Sequence, residues 1–106
     1  MGCRGIFLDA VRNSVKKFIR VEIYIAGEDA EERLGLLKQE KDEIELALDY
    51  QLEWGDQLPT SRDRRISYYL RDVDPKNESD WPQQHEWLAK HLNKMHRAFA
   101  QRVRDL

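Results

Sequence analysis

Thiol chemistry is nearly missing from this chain. Cys3 is its single cysteine in 106 residues, so no internal disulfide can form, and a lone thiol near the start suits a reducing compartment. Long apolar runs are missing too. Nothing approaches the ~18–20 consecutive apolar residues of a membrane span, and no basic start leads into an apolar stretch with a small-residue cleavage site. Met1-Gly2-Cys3 has the look of an acylation signal, but Ile6 stands where the myristoylation pattern wants Ser or Thr. A soluble, cytoplasmic protein without a membrane partner is expected.

Neither sign of charge dominates. Eighteen Lys and Arg against twenty Asp and Glu leave a net charge of -2, which excludes a whole-protein polycation of the kind that coats DNA. The marks of the common catalytic and cofactor-binding classes are absent as well. No Gly-rich phosphate loop follows a strand. His85, His91 and His96 stand six and five residues apart, not at the i, i+4 spacing that sets two imidazoles on one helix face. No metal and no cofactor is therefore expected.

What is present is pattern. With 41% apolar and 36% charged residues, the length suits one domain, 1–106, with one core. Ile19, Val21, Ile23 and Ile25 alternate with Phe18, Arg20, Glu22 and Tyr24, the period of two of a strand with one buried face, spanning Val15 to Ile25. A weaker strand runs from Gly5 to Val11, and Asn13-Ser14 reads as the turn of a hairpin. After Gly27 the period becomes helical. Asp29 is the expected N-cap with Glu32 at the capping-box position, and Leu34, Leu37, Ile44 and Leu48 form one stripe of a single helix reaching about Tyr50.

Leu52, Trp54 and Leu58 suggest a short third strand closed by Pro59, followed by a polar turn over Thr60-Ser61-Arg62-Asp63. Ile66, Tyr68 and Leu70 then share one face of a fourth strand. Asp80 is the expected N-cap of a last helix, with Pro82 in its first turn and Gln83 at the capping-box position. Its apolar positions are Trp81, Leu88, Leu92, Met95, Phe99, Val103 and Leu106. The expected fold is α+β, a two-layer sandwich of order β-β-α-β-β-α, with a four-stranded, mainly antiparallel sheet and two helices on one face.

Charge is uneven along the chain. Residues 28–56 carry a net -8, while residues 1–27 and 81–106 each carry +3. An acidic first helix and a basic last one favour packing against each other. The alternative for the stripe Lys90, Lys94, Arg97 and Arg104 is a surface that tracks phosphates.

Three groups are candidates for chemistry. Arg62, Arg64, Arg65 and Arg71 lie on or beside the fourth strand with Tyr69, and Arg20 with Tyr24 can share its outer face. Together they form the candidate nucleic-acid or partner surface, since cations interleaved with aromatics track a backbone and stack on bases; Arg over Tyr also stabilises a sheet by itself. Asp9 and Glu22 are potential cross-strand neighbours with Lys16 or Lys17 nearby, the ingredients of a metal-dependent nuclease, although alternating polar residues are also what a solvated sheet face requires. His85 falls on the apolar stripe between Trp81 and Leu88, where a partly buried, hydrogen-bonded histidine is expected. Trp54, Trp81 and Trp87 read as core and helix-entry anchors.

The run Glu43-Ile44-Glu45, then Leu52-Glu53-Trp54, Leu58-Pro59, Arg65-Ile66, and later Asp80-Trp81, Trp87 and Phe99 resembles the prokaryotic domain-of-unknown-function family 4268, over about Phe18 to Leu106. The resemblance implies a small module, often C-terminal to a restriction-type nuclease domain, with no catalytic residues to carry over. Against the family's usual pattern the chain lacks an aromatic-rich helical segment before the first strand, which favours a dimer. It also has Asp49-Tyr50 where a glycine is usual. The function expected is a non-catalytic binding or interaction module of a prokaryotic nuclease, defence or DNA-processing system. Its partner would be a nuclease or other protein subunit, its nucleic-acid binding weak, and its state a homodimer or monomer. The alternatives are a metal-dependent nuclease-like enzyme and a structural or oligomerisation protein.

Overall fold

The computed structural model describes residues 4–55 and 62–106. Its first element pair is the hairpin the alternation predicts, with β1 over Ile6–Asn13 and β2 over Phe18–Ile25, in register from Ile6 opposite Ile25 to Asn13 opposite Phe18. The turn lies further along than Asn13-Ser14. Asn13 closes β1, and its Oδ1 accepts the backbone N–H of Val15 and of Lys16 at 3.1 and 2.9 Å. Lys17 takes a φ of +59° before β2 begins. The side chain of Asn13 thus satisfies the donors that a tight reversal exposes.

β4 (Arg64–Arg71) pairs antiparallel with β2, and β3, only Glu53–Trp54, pairs antiparallel with β4, giving the order β1-β2-β4-β3. The expected continuation of the third strand to Leu58, its stop at Pro59, and Thr60-Ser61 of the turn lie outside the described residues, as does Cys3. Alternation then sorts the faces. Ile6 and Leu8 on β1, Ile19, Val21, Ile23 and Ile25 on β2, and Ile66, Tyr68 and Leu70 on β4 point to one side, where Ile6, Ile19, Val21, Ile23, Ile25 and Ile66 are fully buried.

Among the described residues the helical layer lies on that side, but it holds three α-helices rather than two. The expected first helix is broken into α1 (Ala30–Lys38) and α2 (Lys41–Leu48) at Gln39 and Glu40. An unbroken helix would bring Lys41 onto the stripe of Leu37, Ile44 and Leu48. The break lets α1 lie on β2 and β4 while α2 swings against α3. Arg102 of α3 bridges Glu40 at 3.4 Å and Glu43 at 3.6 Å, so the acidic and basic segments do meet. Asp49 ends α2 in the left-handed conformation, φ +69°. Beyond it, Glu45 Oε2 accepts the Leu52 N–H at 2.7 Å and the Trp54 indole N–H at 3.1 Å, tying the helix to β3.

A single 3₁₀ turn at Glu78–Asp80 leads into α3, Trp81–Arg104, which spans about 36 Å at 1.5 Å per residue. Neither Asp29 nor Asp80 caps its helix through a side-chain bond to the backbone. Asp80 instead accepts from the Gln84 amide at 2.9 Å, and the same nitrogen donates to the Asp74 carbonyl at 2.8 Å. Gln84 turns into the protein, so its amide needs those two partners where Gln83 does not. The inward stripe of α3 is Gln84, His91, Met95, Phe99 and Val103, with Leu88 and Leu92 partly buried beside it; Leu106 falls past the helix end and is exposed. No helix of the described residues is long and apolar enough to cross a membrane.

Candidate functional site

The face of the sheet turned away from the helices is polar and aromatic. Register places Arg20 opposite Tyr69, Tyr24 opposite Arg65, Phe18 opposite Arg71 and Glu22 opposite Ser67. Five of the residues singled out in the sequence, Arg20, Tyr24, Arg65, Tyr69 and Arg71, therefore do share one surface. Arg62 and Arg64 do not join it. Arg62 precedes β4, is exposed, and pairs with Glu28 at 3.0 Å. Arg64 stands opposite Ile25, on the helix-facing side of the alternation, and donates to the carbonyls of Arg62 and Asp63.

The shared surface is built on stacked cations. The Arg71 guanidinium lies 4.3 Å from the centre of the Tyr69 ring, and that of Arg20 lies 5.4 and 5.6 Å from the rings of Phe18 and Tyr69. Phe18 and Tyr69 meet edge to face at 5.2 Å. Both arginines are also neutralised within the chain. Arg20 Nε donates to Glu22 at 2.6 Å, and Arg71 Nη2 reaches both carboxylate oxygens of Glu53 at 3.0 and 3.2 Å. The Tyr24 hydroxyl donates to Asp63, whose other oxygen accepts the Gly27 N–H at 2.9 Å. That bond, then burial and the Asp63 charge, raise the Tyr24 phenol above its ordinary pKa, with Arg65 opposing.

Glu22 is the residue that strand alternation conceals. It sits on the open face yet is only 2% exposed, because it occupies the middle of β2 with β1 and β4 on either side and Arg20 folded over it. Directly across, the hydroxyl of fully buried Ser67 has no hydrogen-bond partner among the described residues, and neither does Arg65 Nε. At the margin, Phe7 leaves 52% of its surface to solvent.

Asp9 and Glu22 are direct cross-strand partners, as the nuclease alternative requires. The lysines are elsewhere. Lys16 and Lys17 sit past Asn13, about 13 Å along the strand at 3.3–3.4 Å per residue. Lys17 pairs with Asp74 at 2.9 Å. The Lys76 N–H first, and then Lys17, hold the Asp74 carboxyl below its usual range. Among the described residues no group of three or more His, Cys, Asp or Glu is placed to hold a metal ion.

The buried histidine is His91 rather than His85. α3 is rotated so that the Gln84–Leu88–His91 line faces inward, which leaves His85 exposed beside Trp81. His91 Nδ1 lies 3.1 Å from the Tyr50 hydroxyl, within a cluster where Tyr50 stacks on Tyr68 at 3.8 Å and Tyr68 on Trp87 at 5.6 Å. Burial first, with the charges of Lys90 and Lys94 adding, holds the imidazole down at about 4. Burial likewise pushes the Tyr50 phenol up to about 12, Tyr68 contributing.

The family model for a domain of unknown function (DUF4268) matches residues 1–103. The chain belongs to this family. No curated protein and no solved structure matches the chain significantly. The DUF4268 match takes in β1, and so the whole hairpin, where the resemblance of individual motifs begins only near Phe18. Those motif residues hold the fold together. Glu45 anchors Leu52 and Trp54, Trp81 Nε1 donates to the Pro75 carbonyl at 2.8 Å, Trp87 completes the aromatic stack, and Phe99 is fully buried.

Proposed function

We propose that this DUF4268 chain is a non-catalytic binding module whose open sheet face engages a protein partner. We place it in a prokaryotic nuclease, defence or DNA-processing system, with a nuclease or other protein subunit as the partner and the cytoplasm as its location. The setting rests on the family resemblance. The mode rests on one observation: the stacked arginines of the face already have their counter-charges, Glu22 on Arg20 and Glu53 on Arg71. Phosphate tracking draws its affinity from cations that exchange small counter-ions for phosphates, and these two are committed within the chain. Arginine stacked on tyrosine beside a half-exposed Phe7 is instead the composition that protein interfaces favour.

The test identifies the proteins encoded beside this chain and measures binding of the full chain to any nuclease subunit among them, with Phe7→Ser and Arg71→Ala as variants that change only exposed side chains. Binding weakened at least about tenfold by either variant supports the reading. In parallel, fluorescence anisotropy with single-stranded and duplex oligonucleotides at about 150 mM salt should show affinity no tighter than micromolar. Tight binding with a steep salt dependence that Arg65→Ala flattens would replace the protein partner by nucleic acid. The direct opposition of Asp9 and Glu22 keeps one enzymatic alternative specific. Plasmid cleavage with magnesium or manganese, abolished by Asp9→Ala, would make the protein a nuclease.

A further inference from the structure

The basic stripe of α3 acquires a shape only in the fold. Lys94, Ala98 and Arg102 follow one another at i, i+4 with Arg97 alongside, so cations surround a small side chain on one flank of the helix. Facing this flank, α2 presents Ala47 and Leu48. Alanine on both walls leaves a cleft of about 240 Å³ lined by Ala47, Leu48, Lys94, Arg97, Ala98 and Arg102. Its floor is apolar, its charged lining is entirely cationic, and no carboxylate lines it.

The three cations are not equivalent. Arg102 is a fixed wall, donating to the Ala98 carbonyl at 2.8 Å and held from outside the cleft by Glu40 and Glu43. Lys94 Nζ lies 5.1 Å from the centre of the Tyr50 ring and has no ion pair among the described residues. Arg97 is exposed and likewise has none. Lys90, Lys94 and Arg97 also stand at repelling i, i+3 and i, i+4 spacings, a cost that a bound anion would relieve. The depressed His91 imidazole, inside the same helix, feels the charge of Lys90 and Lys94.

We propose that this cleft binds a small organic oxyanion, with the carboxylate or phosphate oxygens on Arg97 and Lys94 and an apolar body on Ala47, Leu48 and Ala98. Arg97 supplies a planar donor fork that suits either group, and Lys94 supplies a point charge beside it. The cleft volume of about 240 Å³ leaves room for one ring and its anionic group between Ala47, Leu48 and Ala98. The site lies on the helical layer and is independent of the open sheet face.

The test titrates the isotopically labelled full chain with benzoate and, separately, with phenyl phosphate, following backbone amide shifts, with benzyl alcohol as the neutral comparison. Saturable shifts at Ala47, Leu48 and Ala98 with either anion, and none with benzyl alcohol, are expected; the tighter anion identifies the group the cleft prefers. Arg97→Ala and Lys94→Gln should each weaken binding by about tenfold, the loss of one charge-assisted contact. Ala47→Leu fills the cleft from its exposed wall without altering charge and should abolish binding. Absence of saturation by both anions, shifts that map elsewhere, or binding that survives Ala47→Leu would overturn the proposal, the last by showing only diffuse attraction to a basic helix.

Discussion

Lowering the pH towards 5 should destabilise this protein through a single imidazole, His91. The ordinary histidine pKa is 6.5, and the fold holds His91 at about 4. For a base whose folded pKa is depressed, the neutral form is the one the fold favours. Stability is therefore complete above pH 6.5, falls as the pH drops towards 4, and falls no further once the folded chain also takes the proton. By pH 5, a unit and a half below the ordinary pKa, the unfolded chain holds nearly one proton that the folded chain refuses. At 1.36 kcal/mol per pH unit this amounts to about 2 kcal/mol by pH 5. For a domain of this length that corresponds to a drop of about 10 °C in Tm. The physical origin is packing: the ring is 7% exposed, lies against Tyr50, Tyr68 and Trp87, and has Lys90 and Lys94 on its own helix. The assay is a pair of thermal melts by circular dichroism at pH 7.5 and pH 5, on the natural chain and on His91→Asn, whose amide can keep a partner for the Tyr50 hydroxyl but does not titrate. The variant should lose about 2 kcal/mol less across that interval, and an NMR titration of the natural chain should find His91 protonating well below pH 6. Parallel pH dependence in the two proteins, or His91 titrating near 6.5, would refute the reasoning.

Three further outcomes follow from the same structure. Glu45→Ala strands the Leu52 N–H and the Trp54 indole N–H at once, so denaturant titration should show a loss of about 1–3 kcal/mol, with tryptophan emission shifted to the red. Glu22→Ala leaves the Arg20 guanidinium, whose side chain is 12% exposed, without its carboxylate. The expected cost is about 3–5 kcal/mol by the same measurement, whereas replacing both residues by apolar ones of similar volume should cost much less. Asp49→Gly relieves a left-handed C-cap at φ +69° and should raise stability by about 1 kcal/mol, visible as a Tm increase of several degrees.

The elements legible in the chain are those with a strict local period. The β2 alternation from Phe18 to Ile25 puts its isoleucines and valine on one side in any sheet, and the turn chemistry at Asn13 lets it fold back onto β1. The same alternation places Arg20, Tyr24, Arg65, Tyr69 and Arg71 outward, which is why most of the candidate surface was readable. Arg64 stands two residues before Ile66, so the same alternation turns it to the helix side, and Arg62 drops out because β4 begins only at Arg64. The break at Gln39 and Glu40 carries no proline or glycine to announce it. It exists because α1 has the sheet to cover and α2 has α3.

By itself, then, the sequence determined the α+β class, the hairpin, the inward side of each strand and the start of the last helix near Trp81. Those follow from the spacing of neighbours along the chain. Tertiary structure alone decided which line of α3 turns inward, burying Gln84 and His91 and leaving His85 outside. An amphipathic helix has an apolar stripe broad enough to accept a rotation of one residue, and only the shape of the sheet beneath it selects the angle. The burial of Glu22 and the neutralisation of Arg20 and Arg71 are of the same kind. They depend on side chains meeting within and across strands, and a polar residue alternating with apolar ones looks the same in sequence whether water or an arginine lies over it.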